Sequence, residues 1–111
     1  MLERNYQAGL IHRIKKIFPG SIVLKTDPDY IQGFPDLLIL CGQRWAALEV
    51  KRSADAHRQP NQEHYISVMN EMGCAYFICP ENESEVLDEI QRSFGITGTA
   101  CFPECEQLPL A

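Results

Sequence analysis

No stretch of this chain approaches the roughly 18 to 20 consecutive apolar residues that a membrane span requires. The first residues, with Glu3, Arg4 and Asn5, lack the apolar centre of a signal peptide. Both absences lead us to expect a cytoplasmic protein with no membrane partner, in the host cytoplasm if its source is a virus. There is no glycine motif of the kind that cradles phosphate, and no serine or cysteine stands beside a histidine in a recognisable nucleophile pattern. Internal repeats, low-complexity blocks and interdomain linkers are missing too. With 111 residues and 45% apolar content there is room for one modest core and no second domain, so a single site is expected.

The five cysteines, Cys41, Cys74, Cys79, Cys101 and Cys105, are odd in number and irregular in spacing. Three lie in apolar, strand-like segments, which fits small core residues in a reducing compartment. Cys101 and Cys105 form one suggestive pair, but no second pair or histidine follows to complete a zinc site. His12, His57 and His64 show no ligand spacing among themselves and read as solvent-facing or DNA-facing side chains, with no catalytic role.

Positive charge is also scarce, with a net charge of -5, yet it is unevenly placed. Residues 1–58 hold nine Lys or Arg against six acids, while residues 59–111 hold only Arg92 against nine acids. That asymmetry is compatible with a basic face on an acidic body, as phosphate binding requires, although charge alone favours an ordinary solvated surface.

Helical spacing of Tyr6, Leu10, Ile14, Ile17 and Phe18, stopped by Pro19 and Gly20, predicts an amphipathic helix from Leu2 to Phe18. Glu3 falls on its apolar stripe, and an acid there needs a reason. "SIVLKTD" (21–27) reads as a strand and "PDYIQGFP" (28–35) as a loop. Two apolar runs, "DLLILC" and "RWAALEVK", flank Gly42 and Gln43, a connection suited to a type II′ hairpin. A second helix, with Pro60 in its first turn and Tyr65, Val68, Met69 and Met72 as its stripe, closes at Gly73. "CAYFIC" (74–79) is a further strand, and Ser84 is placed to cap a third helix with the stripe Val86, Leu87, Ile90 and Phe94. The order αβββαβα describes an α/β fold, a mixed sheet flanked by helices.

The hairpin turn decides how the charges meet. If Gly42 and Gln43 are its two loop residues, Cys41 faces Arg44, Leu38 faces Ala47 and Asp36 faces Glu49. Opposed residues on one face of an antiparallel pair stand close enough for like charges to repel. Lys51 shares the face of Glu49, while Val50 points into the opposite layer. A divalent cation such as Mg²⁺ or Mn²⁺ between the two carboxylates satisfies this geometry, and the lysine is placed to polarise a phosphate oxygen or acidify an attacking water. The competing reading is a salt-bridged set at a sheet edge, and a one-residue slip of register would send one carboxylate to the other face. Glu3 is a further ligand candidate, or simply an acid at a helix N-terminus. Gln62, at the sheet-facing start of the second helix, is placed to orient water or phosphate, or merely starts the helix.

The residues "GFPD" (33–36), "EVK" (49–51) and Gln62 resemble the PD-(D/E)XK nuclease superfamily. More narrowly, they resemble its virus-type replication-repair nuclease (VRR-NUC) family. The similarity includes an early Glu on a leading helix (Glu3), a G-x-PDL strand start, a strand ending in E-x-K-R through Arg52, and a downstream Gln on a helix before Gly73. It spans about residues 1–95, as a nuclease domain, and leaves 96–111 as a C-terminal tail. It implies a PD-(D/E)XK restriction-endonuclease-like core and metal-dependent hydrolysis of DNA phosphodiesters. Asp36, Glu49 and the Val50 carbonyl would hold Mg²⁺ or Mn²⁺, Lys51 would be the catalytic lysine, and Glu3 and Gln62 would support them.

Small stand-alone members of that family look like phage proteins that dimerise and cut branched DNA, so the resemblance implies a homodimer acting on four-way junctions in replication, recombination or repair. Two symmetric cuts call for two active sites related by a two-fold axis. Tyr30, Ile31, Phe34, Trp45 or the tail are the interface candidates, and Arg13, Lys16, Arg52 and Arg58 the candidates for DNA contact; no small-molecule cofactor is expected. Other readings remain: a flap or other structure-specific nuclease, a sequence-specific restriction-type enzyme for which the chain offers little base-reading segment, and a non-catalytic nucleic-acid binding module on a nuclease-like fold.

Overall fold

The structure, a computed structural model, describes residues 2–95; the tail with Cys101 and Cys105, and the expectations placed on it, lie outside the described residues. The chain folds as α1 (Glu3–Ile17), β1 (Ile22–Lys25), β2 (Leu37–Cys41), β3 (Arg44–Val50), α2 (Pro60–Met72), β4 (Ala75–Ile78) and α3 (Glu83–Phe94). The four strands form one sheet in the order β1-β2-β3-β4. The first three are antiparallel neighbours, and β4 runs parallel to β3. A parallel pair needs a crossover, and α2 supplies it. Among the described residues no helix is long and apolar enough to cross a membrane.

Alternation along the strands sorts the side chains into two layers. Leu37, Ile39, Ala46, Leu48, Val50 and Ile78 face α1 and α3, where they join Tyr6, Leu10, Ile14, Phe18, Val86, Leu87 and Ile90 in the main core. The other face carries Ala47 and Ala75, packed with Met69 of α2 and with the half-buried Phe34, Leu38, Trp45, Tyr65 and Ile66. Because α2 packs on β3 and β4, the β1 end of this face stays open, and Ile22, Leu24 and Leu40 are exposed there.

The turn between β2 and β3 follows the sequence reading. Gly42 has φ 67° and no other described residue but glycine takes a positive φ, so Gln43 does not, which is the type II′ pattern. The resulting register pairs Cys41 with Arg44, Leu38 with Ala47 and Leu37 with Leu48.

Several local expectations needed correction. Ser84 lies inside α3, and Asn82 precedes the helix instead. The Asn82 Oδ1 accepts from the Cys79 N–H at 2.8 Å while its Nδ2 donates to the Phe77 carbonyl at 3.1 Å, fastening the end of β4 to the start of α3. Met72 is 69% exposed and does not extend the buried stripe of α2. Cys74 and Cys79 are buried free thiols as expected, whereas Cys41 is buried but is not a free thiol. On the main-core side, Arg13 grips Glu83 with two hydrogen bonds of 2.7 and 2.8 Å, and the Tyr6 hydroxyl donates to the same carboxylate at 2.8 Å. The guanidinium holds the Glu83 carboxyl below its usual range, and the three side chains tie α1 to α3.

One close approach fixes how α2 meets the loop before β2. Gly33 has φ 87°, and a Cβ there would lie 2.2 Å from the Cβ of Asn61. Both the left-handed backbone and the contact require glycine. Gly33→Ala is expected to cost about 2 kcal/mol or more, read as a lowered urea midpoint at unchanged slope.

Candidate active site

β2 begins at Leu37, so its pairing with β3 starts one residue after Asp36. The chain nevertheless stays in register, because the Thr26 N–H donates to the Asp36 carbonyl at 2.9 Å and the Thr26 hydroxyl to the Pro35 carbonyl at 2.7 Å. One step beyond Leu37 and Leu48, Asp36 therefore stands opposite Glu49, close enough for its charge to act on the Glu49 carboxyl. The parity of β3 explains the closeness. Ala47 and Lys51 donate their N–H groups to Cys74 and Ile78 of the β4 side, so Glu49 also bonds toward β4 and faces β2 at a non-hydrogen-bonded position, where side chains approach most closely.

Val50 has the other parity, and its backbone N–H and carbonyl turn toward β2. There the N–H meets the Asp36 carboxylate, donating to Oδ2 at 2.9 Å. The Val50 side chain points into the main core, fully buried. One residue thus anchors the strand on one side and presents backbone polar groups beside the acids on the other.

Glu49 is 3% exposed and Lys51 8% exposed, and buried charges are costly without partners. Gln62 supplies much of what they need. Its Nε2 donates to Glu49 Oε2 at 3.0 Å, and its Oε1 accepts from Lys51 Nζ at 2.8 Å and from the Gln59 N–H at 3.0 Å. The Gln59 side chain in turn accepts from the Gln62 backbone N–H, a reciprocal cap at the start of α2. Lys51 Nζ also donates to the His57 carbonyl at 2.9 Å. Among the described residues Lys51 forms no direct ion pair with either acid, so the salt-bridge reading of the three charges is not what the chain adopts.

Burial, then the charge of Asp36 and the hydrogen bond with it, push the Glu49 carboxyl up to about 8, against a lowering effect of Lys51. Glu3 is raised as well, first by burial and then by Asp36, while Lys51 and Arg52 oppose the rise. Glu3 thus lies within electrostatic reach of the pair, but it is exposed and α1 begins with it, so it does not extend the buried stripe. Among the described residues no three His, Cys, Asp or Glu side chains gather as a ready metal cage. The donors that fit a cation are the Asp36 and Glu49 carboxylates with the backbone of Val50, a set that leaves most positions to water and phosphate, as Mg²⁺ prefers.

The basic residues divide between the two faces. Arg58 lies over the Phe77 ring at 3.9 Å, and Phe77 is the β4 partner of Glu49, so this guanidinium stands on the face of the acids. Arg52 is exposed beside Lys51. Arg13 is engaged by Glu83 on the opposite face, and Lys16 is exposed on α1, so neither joins the group. A 630 Å³ cleft between α1 and α3, lined by Tyr6, Arg13 and Glu83 among others, also lies on that opposite face, away from the acids. Sequence reasoning missed the Thr26 clasp and the Phe77 platform, which have no local signal. It also missed the cap partner Gln59, which the spacing of two glutamines three apart hints at.

No family model, no curated protein and no solved structure matches the chain. The case for the site rests on its geometry.

In the metal-free protein the raised Glu49 carboxyl binds a proton that the unfolded chain releases. Stability from this group is therefore full below about pH 4.5 and is lost as pH rises through about 8. Urea midpoints of the protein in chelator should fall across that range, and Glu49→Gln should flatten the fall. A wild-type midpoint that rose toward pH 8 in the same way as that of the variant would contradict the assignment.

Proposed function

We propose that the chain is a divalent-metal-dependent DNA endonuclease with a PD-(D/E)XK type of core, resembling the VRR-NUC family. The observation that carries this reading is the apposition of Asp36 and Glu49 beside a buried lysine that a glutamine, and not an acid, holds in place. A structural salt bridge would pair Lys51 with the nearest carboxylate. Here the ammonium is kept apart from both, which leaves the acids to share a proton or a cation.

In this reading Asp36 and Glu49 hold Mg²⁺ or Mn²⁺ together with the Val50 carbonyl. When bound, the cation supplies Lewis acidity toward a phosphodiester and the water that attacks it. The Val50 N–H orients Asp36, and Gln62 fixes Glu49 and Lys51 relative to each other. The Lys51 ammonium faces charge developing on the phosphate. Glu3 adds negative potential at the rim, and Arg52 and Arg58 hold the DNA backbone.

Branched DNA, a four-way junction above all, is the proposed substrate, and a homodimer the proposed working form. The exposed stripe Ile22, Leu24 and Leu40 beside the free edge of β1 supports self-association, while Phe34 and Trp45 are half-buried under α2 and Tyr30 is exposed on its loop. Leu24→Glu should shift a dimer to monomer in sedimentation velocity; an unchanged sedimentation coefficient would remove this surface from the interface.

The decisive assay offers four-way junction, flap, single-stranded and duplex DNA in Mg²⁺ and in Mn²⁺. Wild type should cut junctions fastest, and folded Asp36→Ala and Lys51→Ala variants should lose activity by at least about 10³-fold. Wild-type rates in either variant would sink the nuclease reading, and equal cutting of all four substrates would remove only the preference for junctions. No Mn²⁺ binding by calorimetry would point instead to a binding module on the same fold.

A further inference from the structure

Beside the acids lies a cavity of 250 Å³ that shares only Gln62 with the catalytic arrangement. Its walls are Pro28, Gln32 and Gly33 from the loop before β2 and Gln59, Asn61 and Gln62 from the start of α2. Four of the six are side-chain amides and none is charged. Gln62 Oε1 and the Gln59 carboxamide oxygen are taken up by the cap of α2, and among the described residues the side chains of Gln32 and Asn61 form no hydrogen bond within the chain. Their donors and acceptors are available to a guest. The close approach of Gly33 to Asn61 joins the two walls, so the cavity is a built feature of the loop and helix contact.

The lining selects the guest by its chemistry. A phosphate would look for cations and finds none in these walls. A neutral, planar group with adjacent donors and acceptors matches carboxamides, which pair two-pronged with nucleobase edges. Pro28 offers one apolar ring face. The same Gln62 whose Oε1 caps the helix donates from its Nε2 to Glu49 at 3.0 Å, so an occupant lies within one side chain of the acids. A paired base has its Watson–Crick edge occupied and its faces stacked on its neighbours, so one that enters a cavity whole has left its partner.

We propose that this cavity receives an unpaired nucleobase next to the phosphate being cut, which makes the reading of a branched-DNA substrate specific to strands splayed at the cleavage site. The inference rests on the nuclease reading for the neighbouring phosphate, but the base pocket has its own readout. The test uses four-way junctions and matched duplexes carrying a fluorescent adenine analogue at the branch point, with Ca²⁺ in place of Mg²⁺ to hold the bound state. Asn61→Ala keeps the Cβ that meets Gly33, so a Gln32→Ala/Asn61→Ala variant leaves the fold and the acids in place.

Wild type should unstack the analogue and raise its fluorescence several-fold on the junction. The double variant should lose that rise and about tenfold in junction affinity by anisotropy, with duplex affinity unchanged. Binding without a fluorescence rise, or a rise that persists in the double variant, overturns the pocket and leaves the nuclease reading standing. A variant-sensitive rise in a protein that cuts no DNA in Mg²⁺ or Mn²⁺ overturns the nuclease reading alone. Failure to bind any of these DNAs overturns both.

Discussion

Two carboxylates held opposite each other repel, and the chain holds Asp36 against Glu49 nonetheless. Strand pairing supplies the constraint. The ladder from Cys41 and Arg44 to Leu37 and Leu48 points β2 and β3 at each other with Leu37, Ile39, Ala46 and Leu48 buried on the main-core face. A slip of one residue would turn that whole set outward, so the core pins the register and the acids have no route apart. In the absence of metal a proton on Glu49, whose carboxyl burial and the charge of Asp36 push up, relieves the repulsion. The rest of the site follows from this contact: Val50 presents its backbone beside it, and Thr26 keeps the strand straight up to it.

Gln62 gives the site its second constraint. One carboxamide closes the cap of α2, holds Lys51 and holds Glu49, so the helix cannot be properly started unless the lysine and the acid stand where they do. A neutral amide suits this position for a physical reason. A glutamate would pair with Lys51 directly and repel Glu49, leaving the buried ammonium neutralised. The amide satisfies both while taking charge from neither, and the cost of burying the site is shared with the stability of the crossover.

How much of this was legible in the sequence depends on the range of each signal. The Gly42-Gln43 turn is a local feature, and once it was read the register and the meeting of Asp36 with Glu49 followed by counting. Gln62 was legible as a helix-start residue on the right face. The rest belonged to contacts between distant segments. The pairing of Arg13 with Glu83, 70 residues on, leaves no mark in either neighbourhood, so Arg13 read as a free cation. Helix spacing placed Met72 on a buried stripe, but spacing alone does not say which positions of that stripe another element covers. Glu3 fell on a stripe by the same count, although the helix begins there and leaves it exposed. Asn82 outcompeted Ser84 because its amide reaches the backbone of Phe77 in β4 and of Cys79 just beyond it, a choice made by tertiary geometry.

The separation of the faces also answers the objection that a net charge of -5 raises against a DNA partner. Glu83, Glu85, Asp88 and Glu89 all ride on α3, which packs on the face away from Gln62 and Lys51. Layers of packed elements stand about 10 Å apart, and exposed charges are largely screened beyond about 8 Å at physiological salt. A phosphate drawn to the α2 face therefore senses Lys51, Arg52 and Arg58 far more than the acids of α3. The acids nearest to it are Asp36, Glu49 and Glu3, and their repulsion of phosphate is what a bound cation would reverse. On this view the charge of the whole chain governs its solubility, whereas the local balance beside Glu49 governs what it binds.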